Sequence, residues 1–376
     1  LEKSKTIVIL LHQIGPYHHA RLDALAKEFS IVAIEIRPNS AEYHWKNLHF
    51  GHLLYTKIKI ETANSLLQIV DGFRPDLLLT YGWNEPEYLK TLLYAKKNRI
   101  PIAVASDSIE DSRGELKLKF LLKKSLISLY DGFLVAGKLS EEYVRNYKKN
   151  AVVTKPFDVV DNEHFSNHGS YRANGYILCV ARFIDKKNIE GLLFAVADNA
   201  KEIRLKELKV KVVGAGPNKK IYEEIIRSNE LHDIVEISSW LSYDELPSMY
   251  FQSSCLILPS KNNETWGLVV NEAMAAGLPI IATSNCGCAP DLIVENETGF
   301  LAKEASRDCL SIQLRKFLFL PEEKKKKMGK NGRNKMSGFS LDMHVDAFKF
   351  LSLLKSEKVS FLKMILSKLV VVLRNV

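Results

Sequence analysis

Cysteine is scarce, and its pattern excludes a disulfide framework. The five thiols, Cys179, Cys255, Cys286, Cys288 and Cys309, are an odd number scattered through apolar or turn segments of a 376-residue chain, which suits buried thiols in a reducing compartment. Cys286-Gly-Cys288 has no second Cys or His pair nearby, which argues against a structural zinc site. Long hydrophobic runs are also missing. The opening LEKSKTIVILL is too short in apolar length for a secretory signal or a span, and Val359 to Val376, though apolar, is interrupted by Lys363, Lys368 and Arg374. The expectation is a cytoplasmic protein whose last segment packs on the N-terminal domain or lies at a membrane surface. An acidic excess is absent too: the net charge of +9 and pI near 9.1 imply a basic surface open to nucleic acid, anionic lipid or a phosphorylated substrate.

What is present is ordinary globular composition, 46% hydrophobic and 26% charged, in a chain long enough for two α/β domains. Thr6 to Leu11, Ile31 to Ile36, Asp76 to Thr80, Ile100 to Ala105 and Gly132 to Ala136 read as buried strands alternating with helical segments. That alternation predicts a doubly wound parallel sheet with ligands beyond the strand C-termini. Gly15 with His18, the loop Tyr81–Glu85 with Asn84, and Ser106-Asp107-Ser108 all fall on that edge and are candidates for an acceptor site and one wall of a donor site. Asp107 is read either as a polar site residue or as a helix N-cap. Pro156 to Asn174 reads as a linker. Tyr176 to Ala181, Leu208 to Val213, Ile234 to Ile237, Cys255 to Pro259 and Pro279 to Thr283 then restart the strand pattern. Gly214-Ala-Gly216-Pro217 lacks the third small residue of a dinucleotide fingerprint, since Lys219 stands there, and is read as a tight turn.

The most informative stretch is Lys261 to Leu278, KNNETWGLVVNEAMAAGL. A buried strand ending at Pro259 leads into a loop, and helical spacing begins near Leu268, with Gly277 and Pro279 as stop signals. The first turn of such a helix offers unpaired N–H groups and a positive dipole end, a seat for a diphosphate. Glu264 lies on the loop before that seat and Glu272 about one turn inside the helix.

The run E-T-W-G-L-V-V-N-E-A-M-A-A-G-L-P-I-I-A-T resembles the retaining glycosyltransferases of family four, whose E-x(7)-E element is followed by E-A-M-A-x-G-x-P-V-I-A-T. Trp266 replaces their usual Phe. The resemblance implies a GT-B architecture, two Rossmann-like domains facing across a cleft, with the acceptor domain at 1–160, the donor domain at 170–339 and a last helix within 340–376 returning to the first. It also implies transfer of a sugar from a nucleoside diphosphate to an acceptor hydroxyl of a surface polysaccharide or lipid-linked glycan, with no required metal or other cofactor. Carried over by position, Glu272 takes the ribose and Glu264 lies by the sugar. Trp266, Gly267 and Leu268 offer backbone N–H groups to the phosphates. Arg182 and Lys187 match the family's G-R-x-x-x-x-K-G/N and grip the diphosphate. Gly15 approaches the donor phosphates, and Ser238 and Trp240 flank the base. Asp107 stands where many relatives have His. Gly287-Cys-Ala-Pro-Asp291 replaces the common Gly-Gly-x-x-E.

Leu116 to Leu129 is expected to form a helix with Leu118, Leu121, Leu122, Leu126 and Leu129 toward the core. Leu116, Phe120 and Ile127 then fall on an outer strip between lysines, which suits either an anionic membrane surface or a neighbouring element. Lys324 to Lys327 read as an exposed helical face. A non-catalytic nucleotide- or lipid-binding module on the same fold is the competing reading, and nucleic acid is not expected as a partner.

Overall fold

The computed structural model describes residues 4–38, 53–60, 65–110, 117–166, 173 and 175–357. These form two compact units. One runs through Val159 and includes the helix Leu341–Leu351; the other is Val160–Ser340.

The first unit holds a seven-stranded sheet of β1 (Thr6–Leu11), β2 (Ser30–Glu35), β3 (Thr56–Lys59), β4 (Leu77–Tyr81), β5 (Ile102–Ser106), β6 (Gly132–Val135) and β7 (Val153–Thr154). All pairings are parallel and the order is β3-β2-β1-β4-β5-β6-β7. Both faces are covered, which is why the strands read as continuous apolar runs instead of alternating ones. Ile7, Ile9 and Leu11 pack with Leu22, Leu25, Phe348 and Leu351, whereas Val8 and Leu10 pack on the other face with Val70, Tyr88, Leu92 and Leu126. Each such side chain contributes about 1.5–3 kcal/mol by burial. The returning helix Leu341–Leu351 thus closes one face of this sheet through Val345, Phe348 and Leu351.

The second unit holds β8 (Tyr176–Val180), β9 (Val210–Val213), β10 (Val235–Ser238), β11 (Ser253–Leu258), β12 (Ile280–Thr283) and β13 (Gly299–Ala302), all parallel, in the order β10-β9-β8-β11-β12-β13. Strand order reverses between β8 and β11, and in a doubly wound sheet the crevice beyond that reversal is where ligands bind. Cys179 and Cys255 are fully buried core residues beside Leu193, Val212 and Ile257. Burial pushes the Cys179 thiol up to about 12, so it acts as a small hydrophobe.

Sequence reading misses β3, β7 and β13. The first is Thr-Lys-Ile-Lys with no fully buried residue and the second has two residues, so neither supplies an apolar run long enough to register; the third is Gly-Phe-Leu-Ala, directly after the polar turn Glu295–Thr298.

Two surface expectations are corrected. In the helix Lys117–Ile127, Leu118 and Leu121 are 68% and 58% exposed while Phe120 faces inward, stacked on Tyr147 with centroids 4.9 Å apart. Ile127 is buried, and Leu126 and Leu129 are buried as expected. Helical periodicity identifies a stripe but not which neighbour covers it, and here Tyr143 and Tyr147 take the Phe120 side and also hold Lys123. Leu116 and the segment Val359 to Val376 lie outside the described residues. The second correction is Lys325, which is 2% exposed: its ammonium bonds Glu322 at 2.6 Å and lies 4.6 Å from the Phe317 ring centre.

Candidate functional site

The crevice end of the second unit is built from the loops that follow β8, β9, β10 and β11. The β8 loop leaves the sheet at Ala181, passes exposed Arg182 and forms a single 3-10 turn at Asp185–Lys187. It then reaches Asn188, whose φ of +51° and ψ of 35° are left-handed. Only Gly and Asn adopt that region readily, which explains the G/N position after the Lys. Asn188 also ties this loop to its neighbours, donating from Nδ2 to the carbonyls of Pro259 at 3.0 Å and Ala305 at 2.9 Å. Behind the loop lies the Gly214–Gly216 turn. A Cβ on Gly214 would sit 1.9 Å from the Ala181 carbonyl oxygen, so these glycines allow the turn to back the Arg182 loop, and the helix Lys219–Ser228 follows.

The β11 loop carries Glu264. Its carboxylate is 6% exposed and accepts from Lys187 Nζ at 2.5 Å and from Ser260 Oγ at 2.8 Å. Burial pushes this carboxyl upward, but the charge and hydrogen bond of Lys187, with Lys186 and Ser260, outweigh it and hold the group below the usual carboxylate value. Glu264 is therefore ionised at neutral pH. The loop backbone is fixed from outside: Lys261 N–H donates to the Lys186 carbonyl at 2.9 Å, Gly287 N–H to the Glu264 carbonyl at 2.8 Å, and Cys288 N–H to the Trp266 carbonyl at 3.2 Å. A Cβ on Gly287 would fall 1.8 Å from the Thr265 carbonyl oxygen, so only glycine lets this turn approach.

The helix Leu268–Ala275 starts at Gly267, whose φ of +102° and ψ of 64° are left-handed. Trp266 is 2% exposed and donates from Nε1 to Asn271 Oδ1 at 2.8 Å. It therefore anchors the loop to the helix, while Leu268 opens the first turn with its amide directed off the helix end. Glu272 is 1% exposed and accepts from Tyr250 Oη at 2.5 Å. Beyond β10, Ser238 gives its carbonyl to Gly214 N–H at 3.0 Å and its buried hydroxyl has no hydrogen-bond partner among the described residues; Trp240 is half-buried.

The structure thus gathers Arg182, Lys187, Glu264, Trp266, Gly267, Leu268 and Glu272 on the β8 and β11 loops and the following helix, with Ser238 and Trp240 at the β10 edge. Chemically this is a set of two cations and open amides beside two anchored carboxylates. Among the described residues no cluster of three or more His, Cys, Asp or Glu could hold a metal ion. Sequence reading missed Ser260, Tyr250 and Asn188. Only Asn188, directly after the matched Lys, carried a signal.

In the first unit the candidates gather at the equivalent edge. Gly15 caps the helix Pro16–Ala26, and its N–H donates to His18 Nδ1 at 3.1 Å, so His18 closes the helix start. Desolvation, then the charges of Arg21 and His12, push His18 down to about 3, leaving it neutral. Asp107 sits in a turn closed by Ser108 N–H to Ser106 Oγ at 3.2 Å; no helix starts in 107–110, and 111–116 lie outside the described residues. Asp107 joins desolvation in raising Asp158, which pairs with buried Arg21 at 3.3 Å. Asn84 is exposed.

The family described as Glycosyl transferases group 1 matches residues 160–335. An uncharacterized glycosyltransferase of Methanocaldococcus jannaschii is 26% identical over 229 residues, 61% of this chain and 60% of the relative. A GDP-mannose-dependent alpha-(1-6)-phosphatidylinositol monomannoside mannosyltransferase of Mycobacterium tuberculosis is 26% identical over 163 residues, 42% of this chain and 41% of the relative. The chain therefore spans less than two thirds of the length of these curated relatives. An Anabaena protein solved with UDP and glucose superposes with a TM-score of 0.72 at 16% identity, over 93% of this chain and 99% of its own. The fold is that of the GT-B class, two Rossmann-like domains.

Proposed function

We propose that this chain, whose residues 160–335 match the family described as Glycosyl transferases group 1, moves a sugar from a nucleoside diphosphate to an acceptor hydroxyl with retention of anomeric configuration. The observation that carries this reading is the Lys187–Glu264 pair, 2.5 Å apart, on two loops that flank the sheet's reversal and lead into a helix N-terminus. A diphosphate entering there meets open amides at Gly267 and Leu268 and draws Lys187 away from Glu264 toward phosphate. Arg182 supplies a second cation. As the bond between the anomeric carbon and the β-phosphate oxygen breaks, negative charge grows on that oxygen, and cations already in place stabilise it without reorganisation. The acceptor oxygen forms the new bond on the same face, and its proton passes to the departing phosphate. Glu264 lies by the sugar and Glu272 by the ribose. No metal ion is required for leaving-group stabilisation in this scheme.

The acceptor we propose is a surface polysaccharide or lipid-linked glycan. A relative named for phosphatidylinositol monomannoside mannosylation and the exposed Leu118 and Leu121 among Lys117, Lys119 and Lys124 support an anionic membrane as the working surface. The test is incubation with UDP-, GDP- and ADP-sugars, following release of nucleoside diphosphate and the anomeric configuration of the product. Release that is lost in Arg182→Ala and Lys187→Ala supports the assignment; equal rates in all three proteins overturn it.

A further inference from the structure

We infer that Tyr250 is the positioning residue that presets the Glu272 carboxylate for the hydroxyls of the donor's ribose; this rests on the reading above. Tyr250 stands on the short helix Leu246–Phe251 and is 0% exposed, with its phenol turned to Glu272, through which it acts. Its hydroxyl donates to Glu272 Oε2 at 2.5 Å, the distance of a charge-assisted O–H···O bond.

Glu264 takes hydrogen bonds from a cation, Lys187, and from Ser260, whereas Tyr250 offers Glu272 a neutral phenol, which orients the carboxylate without adding a positive charge. A glutamate otherwise samples several rotamers, and fixing one before ligand arrives lowers the ordering cost of binding.

The phenol itself is immobilised from behind. Its ring meets Phe165 edge-on at 5.9 Å, and Phe165 meets Tyr243 edge-on at 5.6 Å. Tyr243 is stacked on His164 at 4.2 Å and 2°. The short helix Asn162–Ser166 that carries Phe165 is capped by Asp161, which accepts from the N–H groups of Glu163 and His164 at 3.0 and 3.1 Å. Asn162 Nδ2 ties it to the Met336 carbonyl at 2.9 Å.

The experiment is calorimetric titration of UDP and GDP, and of the 2′,3′-dideoxy form of whichever binds tighter, to the wild-type protein and Tyr250→Phe, with melting curves as a check on folding. Tyr250→Phe should weaken ribonucleotide binding about tenfold, change dideoxynucleotide binding less than twofold, and raise donor KM at nearly constant kcat. Phe165→Leu keeps the hydroxyl but removes its wedge, and gives a smaller loss of the same pattern even if Tyr250→Phe folds poorly. Equal weakening of both nucleotides, or no weakening, overturns the inference while leaving the functional reading standing. A wild-type protein that binds ribo and dideoxy forms equally removes the reading of Glu272 and the inference with it.

Discussion

Replacing Glu264 by Gln keeps the side-chain shape and removes its charge, leaving the Lys187 ammonium without the carboxylate 2.5 Å away. The Lys187 and Glu264 side chains are 14% and 7% exposed, and removing one partner of a buried pair costs about 3–5 kcal/mol. Because Lys187 keeps some contact with water, the lower end applies, about 3 kcal/mol, which for a unit the size of Val160–Ser340 is about 6–12 °C in Tm. The reading of the site then makes a second demand. A nucleoside diphosphate restores an anion to Lys187, so the variant regains part of this loss on binding. Recovery of about 1.4 kcal/mol corresponds to tenfold tighter binding of the diphosphate than in the wild-type protein. Turnover moves the other way, falling about a hundredfold as the carboxylate beside the reacting sugar is lost. Thermal melts with and without UDP or GDP, calorimetric titration and nucleotide release together measure all three. A Glu264→Gln protein that melts like wild type, or binds the diphosphate more weakly, refutes the argument that Lys187 is shared between Glu264 and phosphate.

Arg182 is exposed, so Arg182→Ala should leave the melting temperature unchanged while lowering turnover about 10²–10³-fold, read by nucleotide release. Leu121→Asp, on the exposed side of its helix, should abolish flotation with anionic vesicles without loss of fold, whereas Phe120→Asp should destabilise the protein by breaking the stack on Tyr147. Gly287→Ala puts a Cβ 1.8 Å from the Thr265 carbonyl oxygen and should lower nucleotide affinity by shifting the Glu264 loop, as measured by titration. His344 is 0% exposed and bonded through Nδ1 to the Pro156 carbonyl at 2.9 Å; desolvation and then Arg21 push it down to about 3. A folded value below the unfolded 6.5 means its contribution to stability is complete above pH 6.5 and is lost as pH falls from there toward 3. His344→Leu should therefore flatten the stability of the first unit by about 1.4 kcal/mol per pH unit across that window, measured by urea unfolding at pH 7.5 and 5. His18, lowered in the same way, and Asp158, whose raised carboxyl acts with the opposite sign, are common to both proteins and cancel in the difference.

The diphosphate-site candidates of the second unit were legible because their local chemistry is local in sequence. A helix start after a strand and the Arg182–Lys187 spacing each involve residues within one loop, and short-range sterics are written directly in residue order. Most of the strands were legible for the same reason, since burial on both faces leaves runs such as Thr6 to Leu11. Strand order, and therefore which loops meet, was not. Only the tertiary structure joined Lys187 to Glu264, set Tyr250 against Glu272, turned Phe120 inward and buried Lys325, because each depends on contacts between segments whose separation along the chain carries no periodic signal. Sequence alone set which side chains each loop carries; packing decided which partner each charged or polar group found, since leaving such a group buried without one costs more than any local preference supplies.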